Sequence, residues 1–277
     1  MTMRLLSLGH GYVAEALVRA LPAGTEVRAT TRRPERMAQM QGVTPLLLPD
    51  TDLAPHVAWA THVLVSAAPE GGIDPFWLAI AEDIIDHQPA WLGYLSSTGV
   101  YGDRQGAWVD ETASVSPIGN RAGDRIKAER SWVDVVRATH IFRISGIYGP
   151  GRAPFAGLRA GTQRRIIREG QVFSRIHVDD IAQVLRASML APAPGVYNLA
   201  DDLPAPNADV VAYAAEIAGL PLPPAEDFET AALSPMARGF FMESRRVCNR
   251  KIKEDLGITL RYPNYRVGLQ AILAAGA

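Results

Sequence analysis

The chain has 277 residues, of which 48% are hydrophobic and 21% charged, enough for one large α/β domain or a core domain with an appendage. A formal net charge of -1 gives no global field to draw in nucleic acid or an anionic membrane, and neither is an expected partner. The single Cys248 has no partner for an internal disulfide and no metal-ligand pattern around it. No metal is expected, and a reducing cytoplasmic setting is. No stretch approaches the ~20 apolar residues of a membrane span, and the opening apolar run ends too early for a signal peptide.

That opening run, residues 3–8, has the length of a buried strand and breaks into Gly9-His10-Gly11 before a helical pattern from Tyr12 and Val13. The spacing is G-x-G-x-x-A, with Ala14 in the third small position. A glycine at the first position turns the chain sharply out of the strand. At the second, the missing Cβ lets backbone approach a pyrophosphate, and a small third residue lets the helix pack close to the sheet. The helix N-terminus then offers free N–H groups and its positive dipole end to phosphates. Strand, glycine turn and helix in this order predict a dinucleotide site at Gly9, His10, Gly11, Tyr12 and Val13.

A second strand over residues 25–30 ends in Thr30-Thr31-Arg32-Arg33-Pro34. An NAD-preferring site places Asp or Glu near this point for the ribose 2′-hydroxyl. Two guanidinium groups instead suit a 2′-phosphate, so the expected cofactor is NADP, clamped by Thr31, Arg32 and Arg33. The other reading of this segment is a solvated basic turn. Residues 43–48 form a third strand, after which Asp50 either accepts from the adenine amino group or caps a turn. A fourth strand, residues 62–67, runs into Ala68-Pro69-Glu70-Gly71-Gly72. Small residues there, Ala67, Ala68 and Pro69, let a cofactor lie against backbone.

A helix follows over residues 74–86, then a fifth strand over 91–96 leading to Ser96-Ser97-Thr98-Gly99-Val100-Tyr101-Gly102. Hydroxyls at this carboxyl edge stand where a nicotinamide ring and a substrate carbonyl would meet, which makes Ser96 and Ser97 candidates. An irregular polar stretch, residues 104–118, precedes a long helix over 120–136 and a sixth strand over 139–144. The alternation predicts a parallel sheet wound on both faces.

Residues 155–170 read as a basic, partly helical insertion carrying Arg159, Arg164, Arg165 and Arg168, either a solvated face or an anion-binding one. A return helix starts within Arg175-Ile176-His177-Val178-Asp179-Asp180, with Asp179 or Asp180 as N-cap, and continues to Leu190. A last short strand spans 195–199. Residues 204–277 read as helical, with Pro221-Leu222-Pro223-Pro224 as a stiff linker and a final amphipathic helix near 265–274.

The glycine turn, the Ser96–Gly102 segment, Arg143-Ile144-Ser145-Gly146-Ile147-Tyr148-Gly149-Pro150-Gly151, the Arg175–Asp180 segment, Tyr197-Asn198-Leu199-Ala200-Asp201-Asp202 and Tyr262-Pro263-Asn264-Tyr265-Arg266-Val267-Gly268-Leu269 form an ordered series. Together they resemble the extended short-chain dehydrogenase/reductase family, the NAD-dependent epimerase/dehydratase type, and above all its atypical YeeZ-like subgroup. The resemblance implies a Rossmann-type, doubly wound parallel sheet with a small, mostly helical C-terminal substrate-binding part. Residues 1–150, with 176–202 returning, would bind the cofactor; 151–175 and 203–277 would form the substrate or lid part. It further implies a small carbonyl or hydroxyl substrate. Family members often pair through the helix carrying Lys127, so a homodimer is expected by analogy.

The family's chemistry uses a Ser or Thr, then a Tyr four residues before a Lys on the following helix. The Lys and the cofactor's positive ring lower the phenol's pKa, and the phenolate exchanges a proton with substrate while hydride moves. Ser97 stands where the family Ser stands. With Lys127 as the family Lys, the Tyr position is Gly123; registered on Ala128-Glu129, Arg125 takes the Lys position and Arg121 the Tyr position. Neither register supplies a phenol. The candidate catalytic residues are therefore Ser97, Arg125 and Lys127, with Tyr101 and Tyr148 as substitutes or as packing residues. Nucleotide-sugar members also carry a diphosphate-holding Arg four residues before the His of Ile-His-Val; here that residue is Phe173. Two functions stay open: an NADP-dependent oxidoreductase or epimerase with an altered acid-base set, and a non-catalytic NADP(H)-binding redox-sensing module.

Overall fold

Both faces of the central sheet are covered by helices, which is why its strands read as nearly unbroken apolar runs. The computed structural model describes residues 2–69 and 71–276; Met1, Glu70 and Ala277 lie outside the described residues. The first third of the chain gives β1 (Arg4–Leu8), α1 (Tyr12–Ala20), β2 (Glu26–Thr31), α2 (Pro34–Met37), β3 (Thr44–Leu47), α3 (Ala54–Trp59), β4 (His62–Val65), α4 (Pro75–His87) and β5 (Trp91–Ser97). Next come β6 (Trp108–Val109), α5 (Asn120–Val135), β7 (Thr139–Ile144), β8 (Gly146–Tyr148), α6 (Phe155–Arg159), β9 (Arg165–Ile167), β10 (Arg175–His177) and α7 (Val178–Leu190). The chain ends with β11 (Gly195–Leu199), α8 (Asn207–Ala218), β12 (Ala225–Asp227), α9 (Pro235–Met242), β13 (Arg246–Val247), α10 (Arg250–Leu256) and α11 (Tyr265–Ala274).

Seven strands pair in parallel in the order β11-β7-β5-β4-β1-β2-β3. The order reverses direction between β1 and β4, and ligands of such sheets bind at that switch point, beyond the carboxyl ends of the strands. On one face α1 and α7 pack through Ala14, Leu17, Ile181 and Leu185. On the other, α3, α4 and α5 pack through Val57, Ile80, Ile84, Ala128 and Trp132. Asp74 fixes the start of α4, accepting from the N–H groups of Phe76 (2.8 Å) and Trp77 (3.2 Å), while its second oxygen accepts from the Trp132 indole at 3.0 Å. A capping side chain thus also ties α4 to α5. Among the described residues no helix is long and apolar enough to cross a membrane.

Three local expectations are corrected. Residues 175–177 are not the first turn of the return helix; they form β10, paired in parallel with β8. The N-cap of α7 is His177, whose Nδ1 accepts the Asp179 N–H at 3.2 Å. Asp180 instead accepts from the N–H groups of Arg261 (2.7 Å) and Tyr262 (3.0 Å), anchoring the C-terminal segment. The region after residue 204 is not wholly helical, because β12 pairs with β9 and β13 with β6. Strands of two or three residues are too short to show a period, and their partners lie far off in sequence.

The basic insertion is largely internal bracing. Arg164 makes a forked pair with Glu226 (3.0 and 2.5 Å), Arg165 donates to the Pro223 carbonyl at 3.2 Å, and Arg168 donates to the Phe241 carbonyl. These contacts clamp residues 164–168 to the last third of the chain. The final helix, α11, buries Tyr265, Leu269 and Ile272 in a small core shared with α6 and α8.

Candidate functional site

The glycine turn shows why each small residue stands where it does. Gly9 has φ +81, and a Cβ there would lie 2.8 Å from the Ala67 amide nitrogen on the neighbouring strand connection. Any other residue would both strain the backbone and collide with it. Gly11 caps α1 without a side chain, and a Cβ built on it would meet nothing nearer than the Gly9 carbonyl oxygen at 3.9 Å. Its missing Cβ therefore leaves open space at the helix N-terminus, a cradle fitted to a phosphate group. Ala14 is buried against the sheet. Thr30 locks the turn by accepting the Gly9 N–H at 2.8 Å. His10 is buried with Nδ1 3.1 Å from the Ser7 hydroxyl. Burial, aided by Arg36 and opposed by Glu15, lowers its pKa, so it stays neutral at pH 7.

A cleft of about 780 Å³ runs along this edge. Of the residues expected to hold a cofactor, Gly9, His10, Gly11, Thr31, Arg32, Arg33, Ala67 and Ala68 line it. The remaining five are placed elsewhere. Tyr12 turns its hydroxyl to the Pro150 carbonyl (2.9 Å), and the Val13 side chain sits in the core, so both face the cleft through backbone at most. Asp50 and Pro69 are not among the lining residues. Ser96 is buried and donates to Glu129 at 2.5 Å.

Several cleft residues were not foreseen. Arg36 lines it one helical turn beyond Arg33, and Asp52, Pro75 and Phe76 complete the wall. The signal for Arg36 was its spacing from Arg33 on a short helix, which places both side chains on neighbouring faces. Phe76 could not be seen, since only packing of α4 brings it beside β1.

Beyond the cleft, Ser97 is half-buried at the end of β5. Its Oγ accepts the Gly99 N–H at 3.1 Å, which holds the rotamer and leaves the hydroxyl hydrogen free to be donated. Arg125 turns its guanidinium inward and donates to the Leu95 carbonyl on β5. Lys127 points outward, its side chain 70% exposed and its Nζ 3.6 Å from Asp124. Arg125 is thus the cation facing the strand that carries Ser97. Arg245, which the sequence did not single out, reaches the same segment from the C-terminal part, donating to the Gly102 carbonyl at 2.8 Å and pairing with Glu243 at 2.5 Å.

Both substitute phenols are committed to structure. Tyr101 donates to Asn198 (2.8 Å) and accepts from Arg143 (3.1 Å), while Arg143 makes a forked pair with Glu129 at 3.2 and 2.8 Å. Ser96, Glu129, Arg143, Tyr101 and Asn198 therefore form one buried chain of hydrogen bonds. Tyr148 donates to the Asn264 carbonyl at 3.3 Å and meets the His177 ring edge-on. Burial raises the pKa of both phenols, which makes each a poor proton donor at pH 7.

No family model matches the sequence. Protein YeeZ of Escherichia coli K12 is 28% identical over 281 residues, covering 93% of this chain and 95% of that protein. A conserved protein of unknown function from Silicibacter pomeroyi has the same fold with TM-score 0.95, at 53% identity over 99% of both chains. The human epimerase family protein SDR39U1 (isoform 2), solved with NADPH, superposes with TM-score 0.74 over 98% of this chain and 99% of its own, at 18% identity. The strand order, the glycine cradle and these likenesses agree. The chain is similar to YeeZ over nearly its whole length, and its fold is the Rossmann-type α/β fold of the epimerase-type structures it superposes on, which supports the resemblance to the extended short-chain dehydrogenase/reductases.

Proposed function

We propose that the cleft binds NADP(H) and that the chain is an oxidoreductase or epimerase/dehydratase-type enzyme acting on a small carbonyl or hydroxyl compound. The observation that carries this reading is the pairing of the Gly9–Gly11 cradle with Arg32, Arg33 and Arg36 along one cleft. Family members use NAD or NADP; a guanidinium cluster and no carboxylate at the end of β2 favour the phosphorylated form. Bound there, the nicotinamide supplies hydride exchange. Ser97 then donates to the substrate oxygen, and Arg125 stabilises negative charge developing nearby or holds the ribose. Residues 1–150 and 176–202 would hold the cofactor, with 151–175 and 203–277 forming the substrate wall. Exposed Leu78 and Ile85 on α4 and Val133 on α5 suit the helix pairing of a homodimer.

The test is NADPH oxidation across a broad panel of carbonyl compounds, with Ser97→Ala beside the natural sequence. Turnover above background that falls ~10²-fold or more in Ser97→Ala supports the reading. Background rates in both sink it. One observation favours a second reading, a non-catalytic NADP(H)-binding module: neither Tyr101 nor Tyr148 is free to move a proton. Its test is whether NADPH and NADP⁺ give different affinities for a partner captured from lysate.

A further inference from the structure

A second cavity, of about 270 Å³, lies against β8 and β10 at the carboxyl edge of the sheet. The strap around residues 149–152 joins its rim to α1. Tyr12 donates to the Pro150 carbonyl and carries the Arg152 guanidinium over its ring at 4.3 Å, and Arg152 also lines the cavity. One wall residue of this cavity, Arg152, is thus tied to the first turn of α1, the helix that opens at the glycine turn.

The lining has two kinds of surface. Phe173 and Phe240 stack face to face, 4.0 Å between centroids and 12° between planes, and Tyr148 and Tyr265 contribute further aromatic surface. Against this apolar lining stands one buried cation. Arg175 is 7% exposed; its Nη2 donates to the Ala205 carbonyl at 3.1 Å, while Nη1 has no hydrogen-bond partner among the described residues. The carboxyl group acting on it most strongly, Asp201, is itself buried and pushed up to about 8, so it keeps its proton at pH 7. Asp209 also favours its charge, but no carboxylate forms a hydrogen bond or ion pair with the guanidinium among the described residues. A buried guanidinium nitrogen left unpaired is costly, and an anion that reaches it removes that cost.

Sequence and size narrow the anion. Phe173 and Arg175 are two apart in extended chain and so project to the same side. Phe173 occupies the place where nucleotide-sugar relatives carry a diphosphate-binding Arg, so a ring stands where the cation would be and the cation lies two residues on. The volume falls just under the ~300–1,000 Å³ of drug-sized sites. One buried guanidinium matches one negative charge. We infer that this cavity takes a compact carboxylate with a flat, unsaturated or aromatic body, its carboxylate on Arg175 and its body against the Phe173–Phe240 stack. Making that compound the substrate rests on the proposed enzymatic reading; the binding itself does not.

The test is calorimetry on the full chain saturated with NADPH, using benzoate, its neutral isostere benzamide, acetate and inorganic phosphate as probes. Benzoate should bind about tenfold or more tightly than benzamide, the ratio expected for a charge-assisted hydrogen bond. Arg175→Met should abolish that preference and Arg175→Lys restore part of it, with NADPH affinity unchanged in both. Should Arg175→Met fail to fold, Phe240→Ala on the exposed face of α9 replaces it, and should weaken benzoate several-fold while leaving acetate unchanged. Equal binding of benzoate and benzamide, or no binding, overturns the inference. So does phosphate binding more tightly than benzoate in an Arg175-dependent way. If benzoate binds through Arg175 but NADPH does not bind, the cavity assignment stands and the enzymatic reading falls.

Discussion

Replacing Arg32 and Arg33 together with Ala tests the cofactor assignment most directly. Both side chains are exposed and line the cleft beside Arg36. A charge-assisted hydrogen bond to phosphate is worth ~1.5–3 kcal/mol, and solvent screening at an exposed site argues for the lower end. Two such contacts sum to ~3 kcal/mol, or a loss of about 150-fold in NADP⁺ affinity. NAD⁺ lacks the 2′-phosphate and should change by less than ~3-fold. Titration calorimetry with both nucleotides measures the two numbers on one protein. The gap between them should also narrow between 0.1 and 1 M salt, as the Debye length falls from ~10 to ~3 Å. Equal losses for both nucleotides would refute the reasoning, because they would mean the two guanidiniums stabilise the cleft itself and not the phosphate.

Gly9→Ala should destabilise the fold by ~1–3 kcal/mol, since it combines φ +81 with a Cβ 2.8 Å from Ala67. Gly11→Ala should fold normally yet weaken NADPH binding, and a Gly11→Ala protein that binds like the natural one would remove the phosphate cradle from the account. Breaking the buried Glu129–Arg143 pair (2.8 Å) with Arg143→Met should cost ~3–5 kcal/mol in denaturant unfolding, with Glu129→Leu added to it costing less than the sum. His140 lies within the Trp91, Phe142 and Tyr197 rings, and burial pushes its pKa down from 6.5 to about 4. As pH falls below 6.5 the unfolded chain takes up this proton first, so stability present above pH 6.5 is lost progressively towards pH 4, by ~2–4 kcal/mol in all. His140→Leu should flatten that part of the pH–stability curve; an unchanged slope would mean that another group carries it.

The glycine turn, the seven strands of the sheet and the arginine pair were legible from the sequence because each is written locally. A strand buried on both faces needs a continuous apolar run, and a phosphate cradle needs Gly at two fixed spacings. Tertiary packing decided the rest. Phe76 and Asp52 enter the cleft only because α4 and the β3–α3 connection fold against β1. That Arg125 turns towards β5 while Lys127 points outward follows from the direction in which α5 presents its faces, a matter of rotation that spacing leaves open. Ser96 and Tyr101 left the list of chemically free groups once Glu129, Arg143 and Asn198 were seen to complete their hydrogen bonds. Arg175 shows the same divide most plainly. Its charge is in the sequence, but its burial with an unpartnered Nη1 arises only when residues distant in the chain, among them Tyr148, Ala205 and Tyr265, close around it.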